Sequence, residues 1–241
     1  MTTLPLGATE LLMLLILGGI MFICIRKKKL TIPGALLAGI IGAATFLGTG
    51  WTGLLSLLLF FILGVWATSH RKELKAKITP EGIHPESRKA SQVFANGGVA
   101  GIVSFIAILD PSHLPLYVLM VAASLASALA DTLSSELGMV YGRNFYNIRS
   151  FKKEPKGLDG VVSLEGTLIG AAGAGLMALL YGGFDKMGII ILLAGILGNL
   201  LDSVLGATLE RDKRIGNDSV NFLNTLFAAI FAGACYALVC H

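Results

Sequence analysis

Two aspartates, Asp131 and Asp202, stand inside long apolar stretches, and each is followed at once by a hydroxyl residue, Thr132 or Ser203. An ionised carboxylate near the middle of a bilayer costs about 2.5 kcal/mol or more, so such residues mark function by default. They need partners, which a divalent cation or a basic group on a substrate would supply. Ser124, Ser127, Ser134, Ser135 and Gly138 recur around Asp131 every three or four residues, which places them on one helix face. Gly195, Gly198, Asn199 and Gly206 do the same around Asp202. Small residues on such a face also serve plain helix packing, with the hydroxyls capping the acids. Glu136, Asp159, Glu165, Glu210 and Asp218 lie near the same ends of the apolar stretches.

Small polar residues open the neighbouring stretches: Asn96, Ser163, Gly166, Thr167, Asn221 and Asn224. Helix N-termini present unpaired N–H groups and a positive dipole end, and small residues there let a phosphate reach the backbone. Ordinary N-capping by Ser and Asn is the competing reading of each. The connection Arg143–Gly160 adds Arg143, Arg149, Lys152, Lys153 and Lys156. These cations suit a nucleotide or lipid phosphate, and equally suit a loop lying on anionic headgroups. Convergence of N-termini, carboxylates and cations makes a metal–phosphate site the chemistry to expect.

The elements that must position these residues are membrane helices. The chain has 241 residues, 54% of them hydrophobic and only 14% charged, against about 25% charged in soluble domains. That excludes an ordinary cytosolic domain, a disordered chain and a nucleic-acid-binding domain. The spacing predicts an all-α, polytopic bundle of about eight spans, near residues 6–25, 31–47, 53–69, 92–109, 114–140, 163–181, 187–208 and 220–239. They form a single membrane domain over 1–241. All but one of the 19 Lys and Arg, Lys186 being the exception, fall on one side of that arrangement. The positive-inside rule then puts both termini outside and the polar connections in the cytoplasm. The first span lacks a basic segment before it and reads as an anchor, not a cleaved signal. Cys24, Cys235 and Cys240 have no metal spacing and read as small apolar residues.

The chain also resembles itself. Gly198–Gly206 lies over Ser127–Ser135, matching Asp202 to Asp131, and Asp218–Leu226 lies over Gly160–Leu168. The unit is two spans used about three times (31–69, 92–140, 163–208) between a lone first helix and a last one, all in the same direction. Glu136 and Glu165 have no acidic counterpart, since Ala207 and Leu223 occupy those places. Symmetry-breaking acids on a symmetric scaffold suit a one-sided site.

Three motifs carry a family likeness: Asp131-Thr-Leu-Ser-Ser-Glu136-Leu-Gly, Leu158-Asp-Gly-Val-Val-Ser163-Leu-Glu-Gly-Thr167 and Leu201-Asp-Ser-Val-Leu-Gly-Ala-Thr208. With the Arg88…Gln92…Asn96-Gly segment, they resemble the domain-of-unknown-function 92 family, from about Leu30 to the end of the chain. That family includes a vertebrate transmembrane protein and the plant chloroplast phytyl-phosphate kinase of vitamin E synthesis. The resemblance implies phosphoryl transfer from a nucleoside triphosphate, with CTP the expected donor, to an isoprenyl monophosphate in the membrane. It brings no settled catalytic set. Placed on the matching motifs, Asp131, Glu136 and Asp202 are expected to hold one or two Mg2+, with Asp159 as a further catalytic carboxylate. Arg88, Asn96, Ser135, Arg143, Lys152, Lys153, Lys156, Ser163, Glu165, Thr167, Asn199, Ser203, Asn221 and Asn224 form the expected substrate and nucleotide set. The expected partners are the lipid phosphate, the nucleotide and the membrane, with self-association left open. The alternative is a transporter or lipid flippase using Asp131 and Asp202 as a cation or proton site.

Overall fold

A computed structural model describes residues 7–78 and 87–239. Leu6, the expected start of the first span, and Cys240 lie outside the described residues. The helices are α1 (Ala8–Arg26), α2 (Ile32–Ser69), the short α3 (Lys72–Ala76), α4 (Ala90–Leu109), α5 (Leu114–Tyr141), α6 (Leu164–Tyr181), α7 (Lys186–Leu205) and α8 (Asn217–Val239). Seven of them are long and apolar enough to cross a membrane, and the protein is a polytopic helical membrane protein. Large apolar side chains such as Leu15, Phe22, Ile40, Leu109 and Leu168 point outward, which in water would be ruinous and in lipid is neutral.

Seven crossing helices become eight passes because α2 folds back on itself. A straight helix of its 38 residues would run about 57 Å. Instead Lys29 Nζ, just before its start, donates to Ser69 Oγ at its end, at 2.9 Å. The reversal is at Gly50, with φ 68° and ψ −156°, a backbone region that only glycine occupies comfortably. Nothing lies within 4 Å of the Cβ an alanine would add there. Gly50→Ala is therefore expected to destabilise through the backbone alone, by about 1–3 kcal/mol, read as a lower midpoint of thermal unfolding in detergent.

The middle of the bundle is α5, packed against α2, α4, α6, α7 and α8. Its buried face runs through Leu119, Leu125 and Leu129 to Leu133 and Leu137. Glycines bring the neighbours close. A Cβ on Gly166 would sit 2.9 Å from the Ser134 carbonyl, and one on Gly195 3.1 Å from the Ala126 side chain. Such contacts are how membrane helices gain packing energy when lipid offers no hydrophobic driving force. The same N-cap recurs at two helix starts: Thr31 Oγ1 accepts from Gly34 N at 3.2 Å, and Ser163 Oγ from Gly166 N at 3.1 Å.

The expected polar connection after α5 is not a plain loop. Residues Phe145–Asn147 (β1) and Val161–Ser163 (β2) pair antiparallel, with Phe145 opposite Ser163. The end of α7 widens into a π turn over Gly206–Glu210. Gly160 (φ 69°) rests on that turn, where an added Cβ would collide with the Ala207 backbone N. Arg211 clamps the two together, donating to Glu154 Oε2 at 2.8 Å and to the Asp159 carbonyl at 2.6 Å.

Candidate metal–phosphate site

A cavity of about 1550 Å3, counting the part open to solvent, lies where α4, α5, α7, α8 and the β-hairpin meet. The hairpin supplies Asp159, Gly160 and Ser163 to its wall, and α5 supplies Asp131, Ser134, Ser135 and Glu136. Asn199, Asp202, Ser203 and Glu210 come from α7 and its π turn, and Asn221 from α8. Arg88, Gln92 and Asn96 enter from α4 and the residues before it.

The aspartates at matching positions of the two odd-numbered spans meet, with their carboxyls close enough to share a hydrogen bond. Two carboxylates so close require a shared proton or a cation between them. Asn224 orients the pair from α8. Its Nδ2 donates to Asp202 Oδ2 at 2.5 Å, while its Oδ1 accepts from Ser127 Oγ at 3.1 Å. Both ends of this fully buried amide are thus engaged in the bundle, so Asn224 positions Asp202 and does not reach substrate itself.

Glu136 stands apart from the pair. Its Oε2 accepts from Lys75 Nζ at 2.5 Å, and Lys75 also donates to the Ala67 and Thr68 carbonyls at 2.8 and 3.0 Å. All three ammonium protons are used, which ties the end of α2 through α3 to α5. Among the described residues no three His, Cys, Asp or Glu are placed to share one metal ion. The expected three-carboxylate set of Asp131, Glu136 and Asp202 is therefore not assembled. The pair Asp131 and Asp202 is, and Mg2+ commonly takes only one or two protein carboxylates, completing its shell with waters and substrate phosphates. The donor set fits that ion.

Several expected contacts lie elsewhere. Arg143, Lys152, Lys153, Lys156, Glu165 and Thr167 are not part of the cavity wall. Lys153 sits 5.9 Å above the Tyr146 ring, and Lys156 Nζ reaches the Met139 carbonyl at 3.5 Å. Glu165 accepts from the Arg143 backbone N–H at 3.3 Å, and the Thr167 hydroxyl bonds back to the Ser163 carbonyl at 3.0 Å. Ser135 and Ser203 also bond back to their own helices, to the carbonyls of Thr132 and Asn199. Serine and threonine find this bond wherever a helix offers it. Ser163 is a helix cap, the simpler of its two readings.

The expected site set left out Lys75, Gln92 and Glu210, although the sequence placed Glu210 near the same ends of the apolar stretches and Gln92 in the segment with Arg88 and Asn96. Lys75 looks like any other basic residue of its connection. Glu210 faces Asp131, Asp159 and Asp202 electrostatically, and its signal was its place two residues after the Leu201–Thr208 motif.

The cavity wall holds five carboxylates, Asp131, Glu136, Asp159, Asp202 and Glu210, and among the described residues one cation, Arg88. Burial pushes the Arg88 guanidinium below its ordinary value, and the charge of Glu136 partly restores it. Its Nη2 donates to Thr68 Oγ1 at 3.2 Å. Its backbone is pinned on both sides, Arg88 N to the Lys29 carbonyl at 3.0 Å and Thr31 N to the Arg88 carbonyl at 3.1 Å.

Comparison with known proteins agrees with this architecture. The family model described as integral membrane protein DUF92 matches residues 15–229. An uncharacterized membrane protein of Synechocystis sp., sll0875, is 33% identical over 212 residues, covering 86% of this chain and 82% of its own length. The uncharacterized membrane protein MJ0933 of Methanocaldococcus jannaschii is 32% identical over 227 residues, with 90% and 92% covered. The chloroplastic protein VTE6 of Arabidopsis thaliana is 28% identical over 213 residues, 84% of this chain and 64% of VTE6. No solved structure matches.

Proposed function

Since this chain belongs to the DUF92 family of integral membrane proteins, we propose that it is a membrane-embedded isoprenyl-monophosphate kinase. The donor is a nucleoside triphosphate, with CTP the first to test. One observation carries the reading: Asp131 and Asp202 meet in the cavity wall beside Glu210, and such a cluster of carboxylates repels phosphates unless divalent cations neutralise it. Phosphoryl transfer brings such cations with its donor. The family likeness supplies the acceptor class.

Asp131 and Asp202 would hold the cation, with Asn224 fixing the orientation of Asp202. Bound Mg2+ screens the charge on the transferring phosphoryl group and on the leaving diphosphate. An oxygen of the lipid monophosphate attacks the γ-phosphorus of the donor. The new P–O bond forms as the bond to the β–γ bridging oxygen breaks, and the nucleoside diphosphate leaves with that electron pair. The attacking phosphate is already anionic, so no strong general base is required. Positioning and charge neutralisation supply the rate.

Transport finds less support. Outward of Asp131 the bundle is closed by Leu119, Leu125, Leu129, Met177 and Ile191, all fully buried, and a transporter needs a polar path on both sides of its barrier.

Purified protein with Mg2+, geranylgeranyl or phytyl monophosphate and γ-labelled CTP or ATP is expected to yield labelled lipid diphosphate. Absence of transfer with every donor, from protein that binds the lipid phosphate, overturns the assignment. Arg88→Ala is expected to raise KM for the lipid about 10- to 100-fold, the worth of one charge-assisted hydrogen bond, with a smaller change in kcat. An unchanged KM removes Arg88 from the phosphate site.

A further inference from the structure

An apolar groove of about 700 Å3, counting the part open to the membrane, runs between α1, the two arms of α2 and α4. Its walls include Leu17 and Met21 of α1, Leu57 and Phe61 of α2, and Val93 and Gly97 of α4. Three residues line both this groove and the carboxylate cavity: Arg88, Gln92 and Asn96. Gln92 and Asn96 stand one turn apart on α4, and Arg88, which precedes the helix, extends their stripe at the junction.

Building on the kinase reading, we infer that this groove holds the isoprenoid tail of the lipid monophosphate, with the phosphate at the Arg88–Gln92–Asn96 stripe. Three features fix the occupant. The groove is apolar along its length, and among the described residues its one charged lining residue is the arginine at the junction. The guanidinium is held under Gly64, where an added Cβ would lie 3.5 Å from Arg88 Nη2, and its backbone is locked to the segment joining α1 and α2. The stripe opens on its other side into the cavity containing Asp131 and Asp202. A single-chain phosphomonoester seated tail-in therefore presents its phosphate to the cation site, while the chain stays in an apolar channel facing lipid. The lone first helix thereby acquires a role, as one wall of the substrate channel.

The test is a photolabel that reads occupancy, not turnover. Geranyl monophosphate with a diazirine at the far end of its tail is bound to the full chain in nanodiscs, irradiated, and its adducts mapped by peptide mass spectrometry. Adducts are expected within residues 17–21, 57–61 and 93–97. Geranylgeranyl monophosphate should abolish them, and neither dioleoyl phosphatidic acid nor inorganic phosphate should. Gly97→Leu should cut labelling at least tenfold. An added Cβ there makes ordinary contact with Ile41 at 3.6 Å, and the rest of the side chain enters the groove. Adducts confined to other helix faces overturn the tail site, using the unaltered protein alone. So does equal competition by phosphatidic acid, which makes the groove a bulk-lipid seat. Protein labelled in the groove but silent in phosphoryl transfer keeps the tail site and loses the kinase. Protein active in transfer but labelled elsewhere keeps the kinase and loses the tail site.

Discussion

Asp131→Asn and Asp202→Asn proteins are expected to remain folded and to lose lipid phosphorylation by about 1,000-fold each, equivalent to about 4 kcal/mol of transition-state stabilisation. The carboxyls touch, so neither can be replaced by the other, and Asn keeps the shape while removing the charge that holds a cation. The sign of the stability change separates this from misfolding. Asn replaces a buried acid without adding charge and removes the need for a shared proton or cation in the pair, so the variants should unfold at the same temperature as the parent or higher. Activity lost with stability retained marks a functional pair. Activity retained in both folded variants removes the pair from the chemistry. Asn224→Ala should act in the same direction but less, because it frees Asp202 without deleting it. Losing a group that only orients a metal ligand costs about 10- to 100-fold.

Lys75→Met is expected to be the most destabilising single change in the polar part of the bundle, by about 3–5 kcal/mol. The Lys75 and Glu136 side chains are 4% and 14% exposed, so removing the lysine strands a buried carboxylate and takes one donor each from the Ala67 and Thr68 carbonyls. The double variant Lys75→Met, Glu136→Leu removes both charges, and replacing a whole buried pair by apolar residues is often neutral or stabilising. Thermal unfolding of the single and double variants checks this. The pair is structural if the double variant recovers most of the loss. If the lysine variant alone unfolds like the parent, the ion pair is not holding α2 to α5.

The eight passes were legible because bilayer thickness and charge asymmetry constrain a sequence strongly. Even the fold-back at Gly50 sits inside the connection expected at residues 48–52. Asp131 and Asp202 were legible because a carboxylate inside an apolar helix costs too much to stand there without a task. The third carboxylate was misplaced for a reason that helix geometry contains. Glu136 follows Asp131 by five residues, about 140° around the helix, and so turns toward α3. Of the Ser and Thr hydroxyls, Thr167 lies off the cavity wall, while Ser135 and Ser203 line it with their protons given to carbonyls of their own helices. The basic residues of the hairpin connection were over-read too. Positive-inside charge and phosphate-binding charge are the same residue types, and only the position of the cavity separates them. Arg88 stood beside the loop lysines as one more expected phosphate contact, and only its place in the cavity wall separates it from them. What no local pattern revealed is the convergence of distant elements: Lys75 with Glu136, Arg211 with the hairpin, and α1 with the groove beside Arg88.

On the proposed function, the Asp131–Asp202 pair holds a divalent cation against phosphates. Mn2+, whose free ion gives a sharp paramagnetic resonance signal, measures this directly. Adding the protein to an isoprenyl monophosphate and a non-transferable nucleotide analogue should quench that signal stoichiometrically beyond the loss the nucleotide alone causes, and the Asp131→Asn, Asp202→Asn double variant should add nothing to the nucleotide's effect. A signal undiminished by the parent protein, under conditions where both phosphate ligands are bound, contradicts the account and leaves a shared proton as the occupant of the pair.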